Sequence, residues 1–329
     1  MIRRVVVAVV AAAALGGCGG SSPAEPPPDT FTNPVYASDA PDPQAIRVGE
    51  TWYLFHTNTP EANVPVLTSP DLVTWTPAGD ALPELGSWAA AGKTWAPEVL
   101  AVAADRYVLY YTAASAATGR QCIGRAVASS PAGPFVDDAA DPLVCQADQG
   151  GSIDASPFRD TDGTLHLLWK NDGNAIGQDT WIWSAPLAAS GVSLAGEPVQ
   201  LIKQTEAWEG TLVEGPFLWR RPEGLFLFYA ANAYDKPSYA EGYAVCDSPA
   251  GPCRKAPENP ILRSAGGASG PGHASMVEKD GRTWLIYHAW PTGQEGAVDP
   301  GRQLWLDEVV WTDGKPVVRG PTDGPQPLP

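Results

Sequence analysis

The sequence predicts an all-β fold, a five-bladed β-propeller, and three observations carry this prediction. The 329 residues include 34 Gly and 34 Pro, which favour turns, and 13 Trp against 2 Met, which argues for strands rather than a helical bundle. One layout, a tight polar turn followed by a strand rich in aromatic and aliphatic residues, occurs five times. Its turns fall at positions 49, 105, 163, 224 and 281, so the steps between successive turns are nearly equal.

A second feature repeats with the first. Ser-Pro turns begin at positions 69, 130 and 248, each at a similar distance beyond the turns at positions 49, 105 and 224. A unit of this length holds four short strands, and a closed ring of such sheets leaves only short, protected edges. A pair of β-sandwich domains would not produce five nearly equal units. We therefore predict one propeller domain over residues 31–329.

The N-terminal segment predicts export. Arg3 and Arg4 precede an apolar run, Val5 to Leu15, that is too short for a stable membrane-spanning helix. The Leu-Gly-Gly-Cys that ends at Cys18 resembles a bacterial lipobox, in which that cysteine is lipidated; an ordinary signal peptide is the alternative. We expect a lipoprotein signal over residues 1–18, a Pro/Gly/Ser-rich tether over residues 19–30, and a protein anchored at the cell surface or secreted.

Four further cysteines suggest disulfides, since the protein is expected outside the cytoplasm. Four cysteines allow three connectivities, and closeness in sequence favours Cys122 with Cys145 and Cys246 with Cys253. Their spacing matches no zinc pattern. With 37 acidic and 21 basic residues the net charge is −16, which argues against binding to nucleic acid or to an anionic membrane surface.

Acidic residues recur just upstream of the five turns. Asp42, Glu98, Asp154, Glu214 and His273 each precede their turn by a similar short distance. Because the innermost strands of a propeller line the central channel, these residues should converge at one mouth. Any one of them could be an ordinary turn residue. Five in register, with no Lys or Arg among them, favour a concave site for acid–base chemistry.

The motifs around these residues resemble those of glycoside hydrolase family 43. They are Asp39-Ala40-Pro41-Asp42-Pro43, Trp95-Ala96-Pro97-Glu98, Ile153-Asp154-Ala155-Ser156, Val213-Glu214-Gly215-Pro216 and Gly270-Pro271-Gly272-His273-Ala274-Ser275. The resemblance implies a five-bladed propeller that hydrolyses arabinofuranosyl or xylosyl bonds in arabinan, arabinoxylan or xylan. It also implies inversion at the anomeric carbon, which requires one carboxylate base and one carboxylic acid.

The resemblance implies a role for each carboxylate. Asp42 is expected to be the general base, Glu214 the general acid, and Asp154 a third carboxylate that orients Glu214 and raises its pKa. Asp39 competes with Asp42, although the Pro-Asp-Pro context favours Asp42. Glu206 and Glu209 compete with Glu214 and are expected to be loop residues.

The remaining site residues follow from the same resemblance. Trp95, Glu98, Arg302 and Trp208 are expected to bind substrate, by stacking on the sugar ring or by contacting its hydroxyls. His273 is expected near the channel axis, where it either helps to hold a calcium ion through water or only forms hydrogen bonds within the channel. The chemistry itself should require no cofactor.

The expected partner is a carbohydrate polymer or oligosaccharide, bound by a monomer that reaches a membrane only through the lipid anchor. The competing hypothesis is a non-catalytic surface lipoprotein that binds carbohydrate in the same groove. The motifs leave the sugar, the linkage and the choice between endo and exo cleavage open.

Overall fold

The computed structural model describes residues 29–329. Residues 1–28 lie outside this part of the chain, and with them the predicted signal, Cys18 and most of the predicted tether. The described residues are almost entirely β-strand and loop, with three short 3-10 helices at Ala147–Gln149, Gly173–Ile176 and Ala207–Glu209. None of the helices in residues 29–329 has the length and apolar character needed to cross a membrane.

Five antiparallel sheets follow one another along the chain, and each is one blade. The four-stranded blades contain these strands: blade 1, Gln44–Val48, Thr51–Phe55, Pro65–Ser69 and Thr76–Asp80; blade 3, Ser152–Arg159, Leu165–Asn171, Trp181–Leu187 and Val199–Lys203; blade 4, Val213–Arg221, Gly224–Ala231, Ala240–Cys246 and Cys253–Lys255; blade 5, Ala268–Lys279, Arg282–Pro291, Gln303–Thr312 and Lys315–Val318. Blade 2 has three strands, Ala89–Ala103, Arg106–Ser115 and Gln121–Ala128.

The predicted repeat is confirmed as the blade unit. The turns at 49, 105, 163, 224 and 281 each join the first strand of a blade to its second. The Ser-Pro turns at 69 and 248 join third to fourth strands. In blade 2 the fourth strand expected after the turn at 130 is reduced to two isolated bridges, Val127 with Val136 and Ile123 with Val144. The first strands of neighbouring blades contact one another all round the ring, so they are the innermost strands.

The hydrophobic core lies between the blades rather than within one of them. Each of five buried clusters combines side chains from two neighbouring blades. Phe55 of blade 1 shares a cluster with Tyr111 of blade 2, and Tyr110 of blade 2 shares one with Trp169 of blade 3. Each of these side chains is fully buried, which stabilises the fold by roughly 1.5–3 kcal/mol per large apolar side chain. The aromatic and aliphatic residues of the repeated strands therefore pack one blade against the next.

The two ends of the described chain meet at blade 5. Thr30–Phe31 pairs with Gln326–Pro327, and Tyr36 forms a bridge with Leu304. The Asn33 side chain donates a hydrogen bond to the Leu306 carbonyl, so the N-terminal segment is held against the last blade. The four cysteines of the described residues pair as Cys122–Cys145 and Cys246–Cys253, the pairing that their spacing favoured.

Candidate active site

A residue with a left-handed backbone conformation recurs at the corresponding place of all five blades, within the innermost strand in blades 2 to 5 and two residues before it in blade 1. The five residues and their φ angles are Asp42 (56°), Ala96 (40°), Asp154 (58°), Gly215 (55°) and His273 (49°). In blades 2 to 5 the register of the sheet shifts at this point, which is the behaviour of a β-bulge. Bulges bend a strand and redirect a side chain, and here they turn four successive innermost strands at the channel mouth.

This repeat corrects the register expected from sequence. Ala96, not Glu98, occupies the blade 2 position, and Glu214 lies one residue before the blade 4 position, which is Gly215. Glu98 is two residues further along its strand, buried, and its carboxylate accepts a hydrogen bond from the Ser156 hydroxyl at 3.1 Å. Burial raises its pKa well above the ordinary range. Glu98 therefore links blades 2 and 3 and does not line the pocket, so its position gives no support to the prediction that it binds substrate.

The corresponding residues of other blades make similar contacts between blades. Gln44 exchanges two hydrogen bonds with the backbone of Val99, at 3.1 and 3.3 Å. The Ser275 hydroxyl donates to the carbonyl of Pro43 at 2.8 Å. These polar contacts hold the innermost strands in place directly below the bulges.

A cavity of about 420 Å³ opens at the mouth above the bulges. Six of the residues selected from sequence line it: Asp42, Trp95, Asp154, Glu214, His273 and Arg302. This volume lies within the range of small-molecule sites. The structure thus brings together the three carboxylates, the histidine, the arginine and one of the tryptophans.

Asp42 lies in a positively charged environment. Its carboxylate accepts hydrogen bonds from the Thr57 hydroxyl at 2.6 Å and from Arg302 Nη1 at 2.8 Å, and His273 Nδ1 is 3.3 Å away. The backbone N–H of Asp42 donates to His288 Nδ1 at 3.1 Å, which holds the Asp42 backbone in place. Burial works to raise the pKa of Asp42, but Arg302, His273 and the hydrogen bond from Thr57 outweigh it. The pKa of this carboxyl is held well below its usual range.

Asp39, the alternative candidate for the general base, holds Arg302 in place. Asp39 Oδ1 accepts a hydrogen bond from the Arg302 backbone N–H at 2.8 Å, and Arg302 lies over the Tyr234 ring at 4.8 Å. Gly301 packs so closely on the Asp39 side chain that a Cβ there would overlap it. Asp39 therefore acts on the backbone beside the site, and Asp42 is the carboxylate in the pocket.

Glu214 is bound at both carboxylate oxygens. Lys170 Nζ lies 3.0 Å from Oε2, and the Tyr239 hydroxyl donates to Oε1 at 2.8 Å. The Lys170 side chain is only 1% exposed, so its ammonium group has been removed from water to face this carboxylate. Burial raises the pKa of Tyr239 well above the ordinary value, so the phenol stays protonated and acts as a donor. Its ring stacks on His288 at 5.7 Å, which connects the surroundings of Glu214 and Asp42.

Asp154 is the third carboxyl of the pocket, and it is buried. Its Oδ2 accepts a hydrogen bond from the backbone N–H of Gly215 at 3.1 Å, and its own N–H donates to the Thr112 hydroxyl at 3.3 Å. Burial is the largest cause that raises the pKa of Asp154 to about 6, and the charge of Glu214 adds to it. Since Gly215 follows Glu214, this hydrogen bond fixes the backbone that carries Glu214.

Trp208 and the nearby acids lie outside the pocket lining. Trp208 packs on the Tyr229 ring at 5.6 Å in the cluster between blades 3 and 4. Glu209 is fully buried and pairs with Lys255 at 2.6 Å. The 3-10 turn at Ala207–Glu209 directs these side chains into the blade interface. The position of Trp208 therefore gives no support to the expectation that it contacts substrate, and Glu209 has a structural position.

A calcium ion has few direct ligands at the channel. Among residues 29–329 no group of three or more His, Cys, Asp or Glu side chains is arranged to hold a metal. His273 Nδ1 faces Asp42, and the His273 ring packs on Gly215, where a Cβ would lie 3.0 Å from it. Calcium prefers six to eight oxygen ligands. This donor set does not fit a directly coordinated calcium ion.

Four residues that contact Asp42 or Glu214 were not predicted from the sequence: Thr57, Lys170, Tyr239 and His288. Thr57, Lys170 and His288 come from the end of a second strand or just beyond it, and Tyr239 precedes a third strand. The Leu167-Leu168-Trp169-Lys170 run contained a usable signal, because a lysine that continues a buried strand needs a partner. The other three have residue types common in blade cores.

Together, a five-bladed propeller and a channel-mouth pocket with three carboxylates define the protein as a glycoside hydrolase. The family described as Glycosyl hydrolases family 43 matches residues 31–316, and the chain belongs to it.

Individual relatives agree with this membership. The chain is 26% identical to the Beta-D-galactofuranosidase xynD of Aspergillus niger over 78% of this chain and 75% of that protein. It is 28% identical to the Non-reducing end alpha-L-arabinofuranosidase BoGH43B of Bacteroides ovatus over 88% of this chain, but it spans only 53% of that protein. The crystal structure of a thermostable family-43 glycoside hydrolase superposes with a TM-score of 0.82 at 31% identity, over 91% of this chain and 99% of that one.

Proposed function

We propose that this protein is an inverting glycoside hydrolase of arabinofuranosyl or xylosyl bonds, with Asp42 as general base and Glu214 as general acid. The observation that carries the proposal is the difference between the two carboxylates. Asp42 is surrounded by Arg302, His273 and Thr57, which keep it ionised. Glu214 lies beside the buried carboxyl Asp154 and receives donors at both oxygens. Two carboxyl groups in different environments are the requirement for acid and base roles.

In the proposed reaction a water oxygen attacks the anomeric carbon and gives its proton to Asp42. The bond from that carbon to the leaving oxygen breaks, and Glu214 donates its proton to this oxygen. Lys170 and the Tyr239 hydroxyl then stabilise the Glu214 carboxylate that the donation leaves behind. Asp154 fixes the backbone at Gly215 throughout. No step requires a cofactor.

The choice of sugar rests on the relatives. Those named above are a galactofuranosidase and an arabinofuranosidase, and a Bacteroides thetaiotaomicron structure described as an endo-1,4-beta-xylanase superposes with a TM-score of 0.75 at 29% identity. We place arabinan, arabinoxylan and xylan first and a β-D-galactofuranoside next. Trp95 supplies an aromatic wall suited to stacking on a sugar ring.

The test is the product profile of the purified protein on these four substrates, with Glu214→Gln and Asp42→Asn as inactive variants. The matched control is Glu50→Gln, because the Glu50 side chain is 96% exposed and distant from the pocket. We expect the wild type and the control to release sugar and both site variants to lose at least about 10³-fold in kcat/KM. Binding without turnover in the wild type would favour the non-catalytic carbohydrate-binding function.

We also infer that the protein is exported and lipid-anchored through Cys18, as a monomer. The signal-like residues 1–18 and the two disulfides support this, since disulfides persist in oxidising compartments. Cys18→Ala should move the protein from the membrane fraction to the soluble fraction in its native host. An unchanged distribution would contradict the anchor.

A further inference from the structure

The loop that follows the second strand of blade 3 is tightly packed and carries polar side chains into the pocket. Its conformation is set by Asn171, whose side chain accepts from the Trp181 backbone N–H at 2.7 Å and donates to the Asp179 carbonyl at 3.0 Å. A Cβ at Gly150 would overlap the Asp172 carbonyl, and one at Gly173 would overlap the Asp179 carbonyl. The turn is therefore packed from both sides and has little freedom to rearrange.

Asp172 begins this loop, and its carboxylate lines the pocket. Its side chain is 13% exposed, and its nearest cation is Lys170 Nζ at 3.9 Å. Within residues 29–329 no group donates a hydrogen bond to the Asp172 carboxylate. Asn174, two residues later, also lines the pocket, and its side-chain amide has no partner among the described residues. A largely buried carboxylate with free acceptors in a substrate pocket is suited to receive hydroxyl donors from a ligand.

The position of Asp172 along the pocket follows from Lys170. That ammonium group lies 3.0 Å from the Glu214 carboxylate and 3.9 Å from the Asp172 carboxylate, so Asp172 lies beside Glu214 in the pocket. Asp42, by contrast, is held by Arg302 and His273, which come from blade 5. If Glu214 protonates the leaving oxygen, as proposed above, Asp172 lies on the side of the leaving sugar and not on the side of the sugar that is attacked.

We propose that Asp172, with Asn174 beside it, binds the hydroxyl groups of the leaving sugar. Asp172 accepts hydrogen bonds from these hydroxyls, and Asn174 provides an amide that can both donate and accept. Lys170 holds the Asp172 carboxylate and the general acid in one arrangement, so the leaving sugar and its proton donor are positioned together. This assignment rests on the proposed function, because it needs Glu214 to be the acid.

The consequence is a requirement for a hydroxylated leaving group. A site built to hydrogen-bond a substrate hydroxyl discriminates strongly against an analogue that lacks it, because its buried polar groups stay unpaired. The wild type should therefore cleave a disaccharide faster than the corresponding methyl glycoside. Both leaving groups are unactivated alcohols whose departure needs a proton from Glu214, and only the disaccharide offers further hydroxyls to Asp172. The comparison that isolates these hydroxyls is therefore the effect of Asp172→Ala on each substrate.

The experiment measures kcat/KM for two pairs: xylobiose with methyl β-D-xylopyranoside, and α-1,5-arabinobiose with methyl α-L-arabinofuranoside. The variants are Asp172→Ala and Asn174→Ala. The matched control is Asp179→Ala, in the same loop, where the carboxylate binds Lys203 outside the pocket and is 54% exposed. We expect Asp172→Ala to lower kcat/KM at least about 10-fold for the disaccharide and less than about threefold for the methyl glycoside. Asn174→Ala should show a smaller effect of the same kind, and Asp179→Ala should leave both substrates unchanged.

Each other outcome overturns the assignment in a recognisable way. An equal loss on the disaccharide and the methyl glycoside would mean that Asp172 acts through Glu214 and not on the leaving sugar. An unchanged Asp172→Ala would mean that the carboxylate contacts no substrate. Turnover of arabinan, arabinoxylan or xylan with cleavage of neither pair would overturn this assignment and leave the proposed function intact, as would cleavage with either of the first two results. No turnover of any substrate would contradict the proposed function, and this assignment with it.

Discussion

Arg302 should set the pH range in which Asp42 works as a base. Arg302 Nη1 lies 2.8 Å from Asp42 Oδ1, and the two side chains are only 13% and 10% exposed. For charges about 4 Å apart at an effective dielectric constant of about 20, the interaction is about 4 kcal/mol, or about 3 pK units. Opposite charges at this range usually shift a carboxyl by about 1–3 units. Arg302→Met should therefore raise the pKa of Asp42 by about 1–3 units.

The direction of the activity change follows from the role of the base. Asp42 accepts a proton only in its ionised form, so a higher pKa moves the acidic limb of the kcat/KM profile to higher pH. The assay is a pH series from about 2 to 8 on a soluble aryl glycoside, so that an acidic limb raised from well below the usual carboxyl range falls inside the series. Arg302→Lys keeps a positive charge and should show a smaller shift. Arg282→Met removes an arginine that pairs with Glu308 on the outside of blade 5, and should show none.

A lower kcat/KM at every pH with the acidic limb unmoved would refute this reasoning. It would mean that Arg302 acts only on the substrate, which is the role that the family resemblance implied, and that the other groups around Asp42 suffice to keep it ionised.

Three further outcomes are expected. Gly215→Ala places a Cβ 3.0 Å from the His273 ring at a φ of 55°, so it should reduce both the stability of the fold and turnover. The control Gly49→Ala has a similar φ of 61° but open space around it, so it should reduce stability alone, by about 1 kcal/mol. The pKa of Asp154 is raised from 3.8 to about 6, so the fold loses stability as pH rises through that interval. Asp154→Asn should lose activity, but its free energy of unfolding at pH 7 should exceed that of the wild type by about 1–3 kcal/mol, with no gain at pH 4. Treatment with EDTA should leave kcat unchanged, because the proposed steps use only side chains; a fall in kcat that calcium restores would contradict this.

The sequence predicts the architecture well because each blade repeats the same short turn and hydrophobic strand. The turns at 49 and 281 begin and end a series that only a ring of equal units explains, and each of the five turns proved to lie between the first and second strands of a blade. The register within the innermost strands was harder to predict from the sequence. A bulge adds a residue without a residue type of its own, and the left-handed position is filled by Asp, Ala, Gly and His in different blades. Counting back from the turns therefore selected Glu98 in place of Ala96.

The site was predictable where one strand supplied both the motif and the side chain. Asp42, Asp154 and Glu214 belong to the innermost strands or lie beside them, and their motifs marked them. Lys170 and Tyr239 reach Glu214 from outside its own innermost strand, and which residue meets which depends on how two blades pack. That packing is a long-range property, so the surroundings that separate an acid from a base became visible only in three dimensions.

Whether Asp42 acts as a base on water is decided by the anomeric configuration of the first sugar released, which proton NMR can record before mutarotation. Inversion is expected: a β-xyloside should yield α-xylose first, and an α-L-arabinofuranoside should yield β-L-arabinofuranose first. A first product with the configuration of the substrate would mean that a carboxylate attacks the sugar directly. That result would contradict the assignment of Asp42 as a base acting on water.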